Sequence, residues 1–275
     1  MVGIRGRWQR RVVYALAAVG SIFVAQFIAG CASNPATTAD STAALVTPSD
    51  EPDVRRRARL RLELASSYFE NGQTAVALDE VKQALMIDPS YADAFNLRGL
   101  IYMRLNDVVQ ADDSFRRALA VRPDPNVLHN HGWLLCQQQK FSEADQQFAK
   151  ALANPTYIAK GKTLMARGLC QSGAGLHAEA EQNLLRAYET DASNPVVAYH
   201  IASLMLRRGD ARRAQFYIRR LNNGEFANAE SLWLGIKIER ALDESVAMRQ
   251  LAEQLRKRFP DSRERSAYER GAFDE

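Results

Sequence analysis

The feature that most constrains this chain is a repeat of about 34 residues. A small residue recurs at spacings of 34, 33, 36, 34 and 33, and an alanine follows each copy twelve residues later. A bulky apolar residue comes four positions after each alanine. The three columns are Ala65, Gly99, Gly132, Gly168, Ala202 and Gly235; Ala77, Ala111, Ala144, Ala180, Ala214 and Ala247; and Val81, Phe115, Phe148, Leu184, Ile218 and Leu251. Six copies in register are hard to obtain by chance.

The order of the columns predicts a helical hairpin in each repeat. Small residues are needed where two antiparallel helices cross, because a larger side chain would hold the backbones apart. The bulky residue lies on the same face of the second helix as the alanine four positions before it. Turn pairs such as Asn71-Gly72 and Gly209-Asp210 separate the two helices. This is the 34-residue tetratricopeptide pattern. We therefore expect an all-α fold, a right-handed superhelical solenoid of six tetratricopeptide helix-turn-helix repeats, over residues 58–260.

The first thirty residues have the parts of a secretory signal peptide. Four arginines and no acid precede an apolar run from Val12 to Ala29. The run ends in Ile28-Ala29-Gly30-Cys31, which resembles the bacterial lipobox. That resemblance implies cleavage before Cys31 and lipidation of its thiol. The alternative is an uncleaved membrane anchor with an incidental cysteine, since the run is nearly long enough to span a bilayer.

Residues 31–57 are predicted to be a flexible linker after the lipidated cysteine, because the stretch from Ala32 to Pro52 is rich in Ser, Thr, Ala, Pro and Asp. Cleavage would also change the charge. The whole chain has 36 Lys and Arg against 32 Asp and Glu, and four of the arginines lie before Cys31. The mature protein would be close to neutral, so the sequence supplies no basic stripe for nucleic-acid binding.

The sequence does not indicate catalysis, a metal site or a cofactor. Gly161-Lys162-Thr163 resembles the end of a phosphate loop, but Thr156 stands where that loop needs a glycine. His129 and His131 are two residues apart on a predicted helix and cannot share a face. The acids Asp112 and Asp113 are expected on a solvated outer face. We therefore expect a protein that is not an enzyme and takes no small-molecule substrate.

Cys136 and Cys170 lie late on the first helices of neighbouring repeats. In an oxidising compartment they would pair if their Cα atoms came within about 7 Å. The interpretation we favour is two unpaired, small apolar side chains at helix contacts.

The concave side of the predicted solenoid carries more apolar residues than a face that meets only water. A continuous apolar strip with a polar rim marks a partner site, and an amphipathic or extended protein segment would fit it. The alternative is that single members pack against neighbouring repeats. The predicted groove residues are Leu62, Phe69, Leu100, Met103, Trp133, Met165, Leu169, Tyr199 and Leu206.

Several specific runs resemble the type IV pilus biogenesis/stability lipoprotein family, PilW/PilF. They are Val127 to Tyr157, Arg167 to Gly173, Ser231 to Arg240 and Phe259 to Ser262, and the likeness leaves a charged C-terminal tail, residues 261–275, largely uncovered. His129-Asn130-His131 departs from the family pattern, so no role passes to a histidine there. The resemblance implies a pilotin: a lipid-anchored protein on the periplasmic face of the outer membrane that binds the pilus secretin and helps it reach that membrane and multimerise.

The same features fit another class of scaffold. A tetratricopeptide lipoprotein for outer-membrane protein assembly, or for regulation of cell-wall enzymes, would share the repeats and the anchor and differ only in its protein partner. The sequence alone leaves this alternative open.

Overall fold

The computed structural model describes residues 50–274, so the predicted signal peptide, Cys31 and most of the predicted linker lie outside it. Within this range the chain forms thirteen α-helices and no strand. The helices are α1 (Asp53–Glu70), α2 (Thr74–Ile87), α3 (Ala92–Arg104), α4 (Val108–Val121), α5 (Pro125–Gln137), α6 (Phe141–Ala153), α7 (Lys160–Gly173), α8 (His177–Thr190), α9 (Pro195–Arg207), α10 (Ala211–Asn222), α11 (Ala229–Ala241), α12 (Ser245–Arg258) and α13 (Arg263–Arg270).

The first twelve helices form six hairpins, as the repeat predicts. The most extensive contacts join α1 to α2, α3 to α4, and so on to α11 and α12. Each second helix then contacts the first helix of the next hairpin. Every repeat therefore packs mainly against its neighbours in the chain, which is the arrangement of a tetratricopeptide solenoid. The predicted fold class is confirmed.

The small column lies where the helices of each hairpin cross. A Cβ atom on Gly99 would lie 2.5 Å from the Phe115 ring, and one on Gly132 would lie 2.9 Å from the Phe148 ring. Both rings are fully buried. The glycines are required because the bulky residue of the second helix packs directly against the backbone of the first.

Left-handed backbone at several hairpin turns reverses the chain. Gly72 has φ 76°, and Asn106 has φ 59°. Asp107 and Asp210 then cap the second helices by accepting a hydrogen bond from the backbone N–H of Gln110 and Arg213. The predicted turns thus lie between the helices of each hairpin.

The structure differs from the predicted boundaries at both ends of the repeat region. α1 begins at Asp53, inside the predicted linker. Its first turn lies before the buried face that starts at Ala58, and Arg55 there pairs with Asp88 and packs on the Tyr91 ring. The charged tail contains α13, which contacts both α11 and α12. Among the described residues no helix is long and apolar enough to cross a membrane.

Candidate partner-binding face

The predicted groove residues lie on the first helices of the first five repeats. First helices of consecutive repeats contact each other at four of the five steps: α1 with α3, α3 with α5, α5 with α7, and α9 with α11. Second helices of consecutive repeats make no comparable contact within residues 50–274. The first helices are therefore closer together and form an inner row, and the second helices form an outer row. The inner-row positions are Leu62 and Phe69 on α1, Leu100 and Met103 on α3, Trp133 on α5, Met165 and Leu169 on α7, and Tyr199 and Leu206 on α9.

Burial separates Leu62 from the other eight residues. Leu62 is 9% exposed and belongs to the core between the first two repeats, with Ala58 and Ala65. The other eight are half-buried and pack against core clusters while keeping part of their surface exposed. The strip is therefore anchored in the core and presents apolar edges, which limits its side-chain freedom before any partner binds.

A cation covers the first exposed member of the strip. The Arg104 guanidinium lies 3.6 Å from the centroid of the Phe69 ring, and it also donates a hydrogen bond to the Phe69 carbonyl oxygen. Arg104 belongs to the second repeat, so this contact joins two repeats at the inner row. A cation on an aromatic face is attracted by the ring quadrupole. The apolar strip thus begins beside a positive charge.

A disulfide joins the inner row at its middle. Cys136 on α5 and Cys170 on α7 are bonded, with their Cα atoms 5.8 Å apart. The interpretation that both thiols stay unpaired is wrong. The reason is geometric: equivalent first helices of adjacent repeats approach closely enough for two cysteines near their ends to meet. Because disulfides persist in oxidising compartments, the bond is compatible with the predicted periplasmic location.

His129 is part of a buried hydrogen-bond network between α5 and α7, the two helices that the disulfide joins. Its Nδ1 lies 2.9 Å from Thr163 Oγ1, and the Tyr157 hydroxyl lies 2.8 Å from the same oxygen. Burial lowers the pKa of His129 from 6.5 to about 4, with a smaller effect from Lys162. The imidazole is therefore neutral near pH 7, and it links α5 to α7.

His131 points to a different neighbour. Its Nε2 lies 2.7 Å from Asp112 Oδ1 on α4. His131 therefore contacts the second repeat, whereas His129 contacts the fourth. Arg116 Nε lies 2.8 Å from the other oxygen of Asp112, which gives this acid a packing role at the interface between repeats. Within the part of the chain that the structure describes, no group of three or more His, Cys, Asp or Glu side chains is placed to hold a metal ion.

Two features escaped the sequence reasoning. The tail residues Tyr268 and Phe273 pack against Trp233, so the tail belongs to the folded core. The second helix of the fifth repeat, α10, carries four arginines and no acid, with an exposed phenylalanine between them. The run RRAQFYIRR at Arg212 to Arg220 was the available signal, but the near-neutral charge expected of the mature protein concealed it.

Comparisons with known proteins agree with this architecture. The family profile described as TPR repeat matches residues 65–106, and the one described as tetratricopeptide repeat matches residues 92–125. The chain is 27% identical over 204 residues to the type IV pilus assembly protein PilF of Pseudomonas aeruginosa strain PAO1, covering 74% of this chain and 81% of that protein.

Two solved structures match along most of the solenoid. One is the crystal structure of PilW, described as a widely conserved type IV pilus biogenesis factor, with TM-score 0.70 and 29% identity over 77% of this chain and 97% of that one. The other is Pseudomonas aeruginosa PilF, with TM-score 0.72 and 26% identity over 79% of this chain and 99% of that one. These matches confirm the resemblance drawn from the sequence.

Proposed function

We propose that this chain, which is homologous to the type IV pilus biogenesis proteins PilF and PilW, is a lipid-anchored pilotin of the outer membrane. The homology supports a tetratricopeptide protein of type IV pilus biogenesis, associated with the cell envelope and acting by binding other proteins. The finer proposal is that its partner is the pilus secretin, and that binding promotes the localisation of the secretin in the outer membrane and its multimerisation.

The observation that carries this proposal is the half-buried apolar strip on the inner row. Phe69, Leu100 and Met103 pack against the cores of the first three repeats and keep exposed edges. Residues held in this way lose little side-chain entropy on binding, so they are suited to receive an amphipathic or extended segment. Tetratricopeptide scaffolds of pilus biogenesis are a non-catalytic class, and we propose the same for this chain.

The anchor completes the proposal. Cys31 lies outside the described residues, and we propose that it carries the lipid that fixes the solenoid to the periplasmic face of the outer membrane. More than one acyl chain is needed for stable anchoring, which a bacterial lipoprotein cysteine would supply. Cys31→Ala should leave the solenoid folded and able to bind its partner, but neither protein should then fractionate with the outer membrane.

The binding strip is tested by a charge placed on its exposed edge. Met103→Glu should abolish co-purification of the secretin from solubilised envelopes, because a carboxylate cannot be desolvated against an apolar partner without a large cost. Val109→Glu is the matched control, since Val109 lies on the outer row and is 75% exposed. Both variants should keep their helicity. A collapse of Met103→Glu alone would show that this residue serves the core, and normal capture would contradict the proposal.

The partner is tested in cells by deletion of the gene. Loss of twitching motility and of heat-stable secretin multimers, both restored by the wild-type gene, is the expected result. Normal pili with a leaky envelope would instead support the alternative scaffold, for outer-membrane protein assembly or cell-wall enzyme regulation.

A further inference from the structure

The outer face of α10 has a charge pattern that its packing does not require. Phe216 is 60% exposed and lies in the middle of α10. Arginines occupy the positions three and four residues away on both sides, which are its neighbours on a helix surface. They are Arg212, Arg213, Arg219 and Arg220.

These arginines are only partly neutralised by the protein. Arg219 forms a two-bond contact with the buried carboxylate of Glu239, and Arg213 lies 3.8 Å from Asp210. Among the described residues, neither Arg212 nor Arg220 pairs with a carboxylate. The face therefore carries a net positive charge around one exposed aromatic ring.

We propose that this face docks onto an anionic lipid surface, with Phe216 inserted at the boundary between headgroups and acyl chains and the arginines bound to lipid phosphates. The arginines are complementary to a partner with negative charges. The exposed Phe216 ring in addition fits a partner that has an apolar layer directly beneath those charges. A bilayer surface supplies both layers. The face is a convex helix ridge, which a deformable membrane can cover, whereas peptides and small molecules usually occupy concave sites.

The position of α10 on the outer row determines which side of the solenoid would face the membrane. Because α10 belongs to the outer row, contact of its face with a membrane would leave the inner-row strip open to a protein partner. The inference goes beyond the proposed function and uses it only in that the anchor at Cys31 would hold the solenoid near lipid.

The test uses the compact unit Val46–Glu275, which lacks the anchor. The described part of this unit builds its core entirely from its own helices, so we expect it to fold alone. The unit should co-sediment with vesicles of phosphatidylcholine and phosphatidylglycerol, and it should stay in solution with vesicles of phosphatidylcholine alone. Binding should weaken when salt is raised from about 0.05 M to about 0.5 M, because the attraction is screened.

Variants distinguish binding through the α10 face from binding through the positive charge of other surfaces. Arg212→Gln with Arg220→Gln should weaken binding about 30-fold, at about fivefold per arginine, and Phe216→Ser about tenfold. Arg116→Gln with Arg117→Gln removes the same charge from the outer-row helix α4, where both arginines are exposed and paired with acids, and should have little effect. Met86→Ser is the apolar control, since Met86 is 74% exposed on α2.

Insertion has its own readout. The fluorescence of the tryptophan introduced by Phe216→Trp should be quenched by brominated acyl chains, whereas that of the tryptophan introduced by Met86→Trp should not. The proposal would be overturned by absence of binding to anionic vesicles, by equal binding to neutral vesicles, or by a Phe216→Ser variant that binds as tightly as the wild type. Since no secretin is present, these outcomes are independent of the pilotin proposal.

Discussion

The two ends of the helix stack are closed in different ways. At the C-terminal end α13 covers the last hairpin: the Trp233 ring stacks on Phe273 with centroids 5.2 Å apart, and Arg240 lies 4.1 Å from the centre of the Phe273 ring. At the N-terminal end no helix among the described residues covers the outward face of α1. Leu60 is 56% exposed there and Leu64 40% exposed.

Ion pairs supplement the hydrophobic core of the N-terminal repeat, whereas an aromatic cluster covers that of the C-terminal repeat. Arg61 pairs with Glu80 at 2.8 Å, and Arg59 pairs with Glu51 and Glu63. Exposed pairs of this kind contribute little to stability, whereas burying an aromatic side chain contributes much more. In a solenoid each repeat is stabilised mainly by its neighbours. We therefore expect the first repeat to open most readily and the last to be held by its cap.

Removing the cap should give the largest effect. Trp233 on α11 is 8% exposed and packs against Tyr268 of α13 and against Phe273. Trp233→Ala should lower the free energy of unfolding by about 3–5 kcal/mol, measured by chemical denaturation. Hydrogen exchange should increase in α11–α13 first. A loss below about 1 kcal/mol would show that the cap does not support the last repeat.

The matched pair Leu64→Ser and Leu234→Ser compares the two ends directly. Both residues stand one position before the small column, in the first and the last repeat, but Leu234 is 5% exposed. Leu234→Ser should cost at least about 3 kcal/mol, since it leaves a cavity and a buried hydroxyl. Leu64→Ser should cost less than about 1 kcal/mol. Equal costs, read from urea denaturation midpoints, would contradict the difference between the ends.

The disulfide should couple the two ends. Cys136→Ser with Cys170→Ser removes a crosslink between residues 34 positions apart, for which about 2–4 kcal/mol is typical. Because stability in a solenoid passes between neighbours, we also expect unfolding to separate into two transitions. Calorimetry of the variant beside the oxidised wild type measures this, and the reduced wild type controls for the substitutions themselves. A single transition with an unchanged midpoint would show that packing alone joins the halves.

Acid should act on the same junction to a smaller extent. The folded-state pKa of His129, about 4, lies below its unfolded value near 6.5. Its contribution is therefore fully present above pH 6.5 and is lost as the pH falls towards 4. For this group alone, stability should drop by about 2 kcal/mol between pH 7 and pH 5. His129→Gln should remove that part of the pH dependence, whereas His177→Gln, at a partly exposed outer-row histidine, should retain it.

The sequence was sufficient for the repeat architecture because each column reports a local packing requirement. Gly99 and Phe115 are sixteen residues apart, and the structure brings them together at the crossing of one hairpin. The same reasoning identified the hairpin turns and the row of helices on which the groove residues lie. It did not give their exposure, because burial of Leu62 depends on the second repeat packed against it.

The disulfide and the packing of the tail could not be predicted from the pattern within single repeats. Whether Cys136 and Cys170 meet depends on the distance between two hairpins, which no column records. The tail resembles a polar segment because its few apolar residues, such as Tyr268 and Phe273, follow no repeat. They are half-buried where they pack against Trp233.

The sequence by itself determined that six helical hairpins stack in register, because contacts within a hairpin are set by residues close in the chain. The tertiary structure decided which side chains remain exposed, which histidine faces which neighbour, and how each end of the stack is closed. The physical reason is that these outcomes depend on the relative placement of successive hairpins, which emerges only when each repeat packs against the next.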